Sequence, residues 1–147
     1  MCEQASEIRA AAINLLARRD YSLFELNRRL SKRFDAPDLI EQQLQRLAEE
    51  GWQSDARFAE VFVRAQVAKL RGPVRIRAEM RQRGVSPALI ERSLEQADTD
   101  WFALIQTLNA RKFGSDYPKD PKDRAKRLRF FQYRGFGQEH INSVLPY

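Results

Sequence analysis

Apolar positions along the chain recur at steps of three and four residues and nowhere alternate cleanly, a periodicity that predicts helices from end to end and no strand. From Ser6 to Arg19 the stripe is Ile8, Ala11, Ala12, Leu15 and Leu16. Asp20-Tyr21-Ser22 interrupts it. Ser22 and Glu25 have the spacing of a capping box, in which each side chain satisfies the other residue's backbone N–H, and this starts a second helix through Arg33 with Leu23, Leu26, Leu30 and Phe34 inward. Pro37 suits a first helical turn and opens a third helix through Leu39, Ile40, Leu44 and Leu47, ending near Gly51.

The order then returns. Ser54 caps a helix striped by Phe58, Val61, Phe62, Ala65 and Ala68. Gly72-Pro73 opens a helix with Ile76 and Met80 inward, Gly84 suits the left-handed residue that follows a helix, and Ser86-Pro87 opens a helix carrying Leu89, Ile90 and Leu94. A third round begins at Thr99 with Trp101, Phe102, Leu104, Ile105 and Leu108 and stops by Gly114. Asp120-Pro121 restarts the chain, Gly135 stops it, and Gln138 to Leu145 form a short last helix.

This return is a repeat in the strict sense. Ser22–Leu44 lies over Gly72–Leu94 without a gap at an offset of 50, with Arg33/Arg83, Pro37/Pro87, Leu39/Leu89, Ile40/Ile90, Glu41/Glu91 and Leu44/Leu94 identical. At an offset of 51, Arg83-Gly84 falls on Arg134-Gly135. The pattern predicts an all-α fold of three tandem three-helix repeats, residues 1–50, 51–98 and 99–147, stacked as an elongated array that can curve.

Charge changes the picture by falling unevenly. The 147 residues carry a net +6, yet 55–83 and 119–134 each carry +5, and both stretches include the middle helix of a repeat. A recurring basic helix suits phosphates or protein carboxylates, and its preference for arginine suits bidentate contact. The candidate partner- or phosphate-binding residues are Arg57, Arg64, Lys69, Arg71, Arg75, Arg77 and Arg81 in the second repeat. In the third they are Arg124, Lys126, Arg127 and Arg129. The basic helices are poor in Asn and Gln, which favours backbone or protein-surface contact over reading of bases. Phe58, Phe62, Trp101, Phe102 and Phe131 read as core, while Trp52, Tyr133 and Phe136 fall near repeat junctions, where packing outweighs stacking on bases.

Catalytic chemistry has little to draw on. One cysteine, Cys2, reads as an inert terminal residue, and one histidine, His140, as an ordinary surface or helix residue, so a cysteine-rich or multi-histidine metal site is excluded and histidine-based catalysis is sharply limited. There is no phosphate-cradling G-x-x-x-x-G-K-[ST] or G-x-G-x-x-G. The expectation is a monomeric, cytoplasmic, non-enzymatic protein with no cofactor, metal or membrane span.

The most specific words in the sequence are Gly51-Trp52-Gln53-Ser54-Asp55-Ala56-Arg57-Phe58-Ala59, Arg71-Gly72-Pro73-Val74-Arg75-Ile76-Arg77-Ala78-Glu79-Met80 and Arg83-Gly84-Val85-Ser86. Arg19-Asp20-Tyr21-Ser22 with Glu25-Leu26 precedes them, and Phe130 to Phe136 follows. In this order they resemble the signature of the bacterial RecX regulators across nearly the whole chain. Trp52, Gln53 and Ser54 depart from that pattern at a turn. The resemblance implies a modulator, mainly an inhibitor, of the RecA recombinase. It implies tandem three-helix repeats lying along the RecA filament on single-stranded DNA, limiting its ATPase, strand exchange and co-protease activities, with direct DNA contact in some members. The alternative is a sequence-independent nucleic-acid-binding module with no RecA role, and a third reading is a purely structural helical scaffold.

Overall fold

The structure, a computed structural model, describes residues 2–146. The described residues form nine α-helices and no strand: α1 Glu3–Leu16, α2 Leu23–Ser31, α3 Pro37–Glu49, α4 Asp55–Ala68, α5 Pro73–Gln82, α6 Pro87–Ala97, α7 Trp101–Phe113, α8 Pro121–Tyr133 and α9 Gln138–Val144. The starts of α2 and α5 lie fifty residues apart, as do those of α3 and α6, so the repeat in sequence is a repeat in helix boundaries. The chain divides into two compact units. The first holds everything up to Val61 together with Met80–Ile90; the second holds Phe62–Glu79 with everything from Glu91 onward.

In the first unit α1, α2 and α3 pack on one another. Ile8, Ala12, Leu26 and Leu47 have no exposed surface, and Leu30 and Ile40 almost none. Burying each large aliphatic side chain contributes about 1.5–3 kcal/mol, so this cluster is the main cohesive term of the unit. The capping box forms as read: Ser22 Oγ accepts from the Glu25 N–H at 3.1 Å, and Glu25 Oε1 accepts from the Ser22 N–H at 3.1 Å. The Ser22 hydroxyl also donates to the Arg83 carbonyl at 2.6 Å, and the Glu25 carboxylate lies 3.5 Å from the Arg83 guanidinium. A helix start thereby becomes a tie to a segment sixty-one residues away. Gly84 follows α5 with φ +78°, and an added Cβ would lie 2.4 Å from Cβ of Phe24. Cys2 is exposed, and its Sγ accepts from the Ala5 N–H at 3.4 Å and caps α1.

In the second unit α9 packs on α7 and α8. Its core is Ile105, Leu108, Phe131, Phe136, Ile141 and Leu145, with Phe113, Phe130 and Phe131 meeting edge to face at 5.5–5.8 Å. Asp120 caps α8 through the Asp123 N–H at 2.8 Å, with Pro121 in the first turn. The N-cap of α7 is Asp100, one residue after the expected start at Thr99.

Three expectations change. The buried stripe of α4 is Phe58, Ala59, Val63 and Gln66, whereas Val61, Ala65 and Ala68 are exposed. The helix offers two adjacent apolar stripes, and the one containing Gln66 can turn inward because its Oε1 accepts a hydrogen bond from Arg71 at 2.6 Å. Phe102, read as core, is 45% exposed and meets the His140 ring edge-on at 4.8 Å. His140 is buried between the rings of Phe102 and Phe136.

Candidate functional site

Several of the basic residues pair with other groups of the fold, though Arg57 among them is itself exposed. Arg57, at the start of α4, pairs with Asp20 at 2.9 Å and donates to the carbonyls of Trp52 and Gly51, clasping the turn before its own helix. Arg77 is bidentate on Glu91, at 2.9–3.2 Å, joining α5 to α6. Arg75 pairs with Glu79 one turn along α5 at 3.1 Å. Arg71 is half-buried and donates to Gln66. Arg124 is half-buried and donates to the Leu145 carbonyl at 3.1 Å.

Arg127 does not face outward as its place in a basic helix suggests. It is 7% exposed, donates to the Asp116 carbonyl at 2.8 Å, meets Asp123 at 3.3 Å and lies 4.6 Å over the Phe113 ring. These contacts hold the loop before α8, so Arg127 is a packing residue. Asp123 has a carboxyl held below its ordinary value, chiefly by the hydrogen bond it accepts from the Lys119 N–H and then by the charge of Arg127.

Arg64, Lys69, Arg81, Lys126 and Arg129 are exposed. On α8, Lys122, Lys126, Arg129 and Tyr133 are spaced by four, three and four residues, all exposed, and so form one basic stripe ending in an aromatic. The stripe runs about 16 Å along the helix axis. Tyr133 is 75% exposed, and the Arg75 guanidinium carbon lies 5.3 Å from its ring centre. Lys122, Tyr133 and Arg134 lie outside the candidate binding set, although Lys122 and Arg134 fall in the basic stretch 119–134. Helical spacing relates the first two to Lys126 and Arg129, and Arg134-Gly135 aligns with Arg83-Gly84.

No group of three or more metal-ligating side chains occurs among the described residues, and none of their helices is long and apolar enough to cross a membrane.

Two family models match the chain: RecX, second three-helix domain, over residues 54–94, and RecX, third three-helix domain, over residues 98–145. The chain is 45% identical over 147 residues to the Regulatory protein RecX of Chromohalobacter salexigens, covering 100% of this chain and 96% of that one. It is 44% identical over 138 residues to the Regulatory protein RecX of Pseudomonas entomophila, covering 94% and 89%. The crystal structure of RecX from Lactobacillus salivarius superposes with a TM-score of 0.81 at 20% identity, covering 99% of this chain and 97% of that one, a likeness of fold.

Proposed function

This chain belongs to the RecX family of regulatory proteins, and from that premise we propose that it regulates a RecA recombinase, mainly as an inhibitor and without catalysis of its own. It binds along the RecA filament on single-stranded DNA and limits ATP hydrolysis, strand exchange and co-protease activity. Its three repeats, divided near residues 50 and 98, each contribute a helix group to that contact. The observation that carries the reading is the exposed basic set, above all Lys126 and Arg129 on one face of α8 and Arg81 at the end of α5. Lys126, Arg129 and Arg81 can meet phosphates or filament carboxylates, whereas Arg57, Arg77 and Arg127 are paired with Asp20, Glu91 and Asp123.

The test is titration into preformed RecA filaments on single-stranded DNA, with ATP hydrolysis as the readout. Wild-type protein lowers the rate. Lys126→Glu with Arg129→Glu shifts the half-inhibitory concentration upward by roughly tenfold or more, the scale of losing charge-assisted contacts. Arg77→Gln, which touches the fold and not the surface set, leaves inhibition within about threefold once the folded fraction is matched. A wild-type protein that leaves the recombinase untouched while binding bare DNA tightly overturns the reading in favour of a nucleic-acid-binding module.

A further inference from the structure

An open groove in the first unit runs between α2 and α3. Leu23, Leu44 and Ala48 line it with buried or half-buried apolar groups, Phe24 stands on its α2 side, and Glu41 and Glu49 stand on its α3 side. Along α3 the lining recurs once per turn, at Glu41, Gln45 and Glu49, and so follows the helix for about 12 Å. Phe24 packs at its root against Gly84, yet it is 45% exposed. Its ring is presented to solvent from a fixed base, with the Arg28 guanidinium carbon 5.7 Å from its centre.

The repeat shows what this groove lacks. Fifty residues on, the place of Asn27 is taken by Arg77, and Glu41 returns as Glu91. In the second unit Arg77 is bidentate on Glu91 and ties α5 to α6. In the first unit Asn27 instead accepts from the Ser31 hydroxyl at 3.1 Å, and among the described residues no cation pairs with Glu41. Glu49 is the last residue of α3, the end of a helix that disfavours a carboxylate. It accepts from the Gln45 amide at 3.5 Å and, among the described residues, meets no cation either. Exposed glutamates alone are ordinary solvated charges. Here they flank an exposed aromatic and an apolar floor, in a chain whose net charge is +6.

We propose that the α2–α3 groove of the first repeat docks an amphipathic helix of a partner protein. Its apolar anchors lie against Phe24, Leu23 and Ala48, and its arginines or lysines lie on Glu41 and Glu49. A helix laid in a groove uses anchors three and four residues apart, the spacing that the α3 wall itself presents. The cation that the second repeat carries within the chain is delivered to the first by the partner. Charge decides the occupant, since an acidic helix would bring like charges onto both glutamates. The groove has the opposite sign to the exposed basic set, and the proposal does not rest on the regulatory reading.

The experiment is fluorescence anisotropy of a labelled helical peptide of about eighteen residues, with leucines three and four residues apart and arginines along one flank. The full chain is titrated in without a recombinase. A peptide with glutamates in place of the arginines and a scrambled peptide of unchanged composition are the controls. The arginine peptide binds at least about tenfold more tightly than either control. Glu41→Gln with Glu49→Gln weakens that binding about tenfold. Asn27→Arg, which gives the first repeat the ion pair of the second, weakens it at least about fivefold while the melting midpoint stays at or above that of wild type. That combination separates loss of the groove from loss of the fold. The proposal is overturned if the scrambled or the glutamate peptide binds as tightly, or if Asn27→Arg and the double variant bind like wild type. It is also overturned if a second copy fills the groove, seen in sedimentation as a dimer that Phe24→Ala disperses.

Discussion

Arg127 and its neighbour Lys126 are adjacent cations in a basic helix, yet one is a buried strut and the other is exposed. About 100° of helical rotation separates them, and composition cannot tell which side faces Phe113. The contacts of Arg127 set an expected cost. Arg127→Ala leaves the Asp116 carbonyl without its 2.8 Å donor and removes the cover over Phe113. It should lower stability by about 1–3 kcal/mol, read as a shift in the urea midpoint. Asp123 adds a pH term. Its folded carboxyl lies below the ordinary value, first because of the Lys119 N–H and then because of Arg127. Its contribution is therefore complete above the unfolded value of about 4 and is lost as pH falls through the lower folded value. Asp123→Asn should reduce the fall in stability as pH drops below about 4, with no comparable change in pH dependence near neutrality.

At the scale of elements, helix starts were legible because their chemistry is local. The Ser22/Glu25 box, Pro37, Pro73, Pro87 and Asp120-Pro121 all stand where helices begin. What the starts are tied to was not legible. Gly72 reads as part of a Gly-Pro boundary, but the reason for glycine there is close approach: an added Cβ would lie 2.4 Å from the carbonyl oxygen of Gly135. Gly135 in turn has φ +98° and would place a Cβ 2.2 Å from Cβ of Arg75. Gly72→Ala, whose backbone angle alanine tolerates, should therefore cost about 1–3 kcal/mol by forcing the two segments apart. Gly137→Ala, with nothing within 4 Å of the added carbon, should cost much less. Matched urea melts compare the two, and equal costs would remove close packing as the reason for Gly72.

At the scale of the whole molecule, the compact units do not follow the repeat boundaries. The chain passes from one unit to the other inside α4, inside α5 and inside α6. A continuous helix transmits order along its hydrogen-bond ladder, so the units should melt together. The two tryptophans report this separately, Trp52 in the first unit and Trp101 in the second. Single-tryptophan variants made with Trp52→Phe or Trp101→Phe should give coincident thermal transitions. Ala78→Pro breaks α5 where it leaves the second unit, at a cost of about 3 kcal/mol, and should pull the two transitions apart. Separate transitions in the unbroken protein would mean that the shared helices do not couple the units.

Helix number, helix starts, the fifty-residue repeat and the family pattern all follow from short-range chemistry: caps, first-turn prolines and apolar spacing act within a few residues. The same logic located the basic stretches but treated their charges as equivalent. Which arginines became struts, which apolar stripe of α4 turned inward, and which aromatic stayed outside depended on partners far along the chain. Arg83 meets Glu25 while Arg134 meets the backbone of Lys69 and Leu70 beside Arg71 and Arg75, a difference set by what folding brings alongside each arginine. A guanidinium's role is decided by the acceptor it reaches, and that acceptor is chosen only when the helices pack.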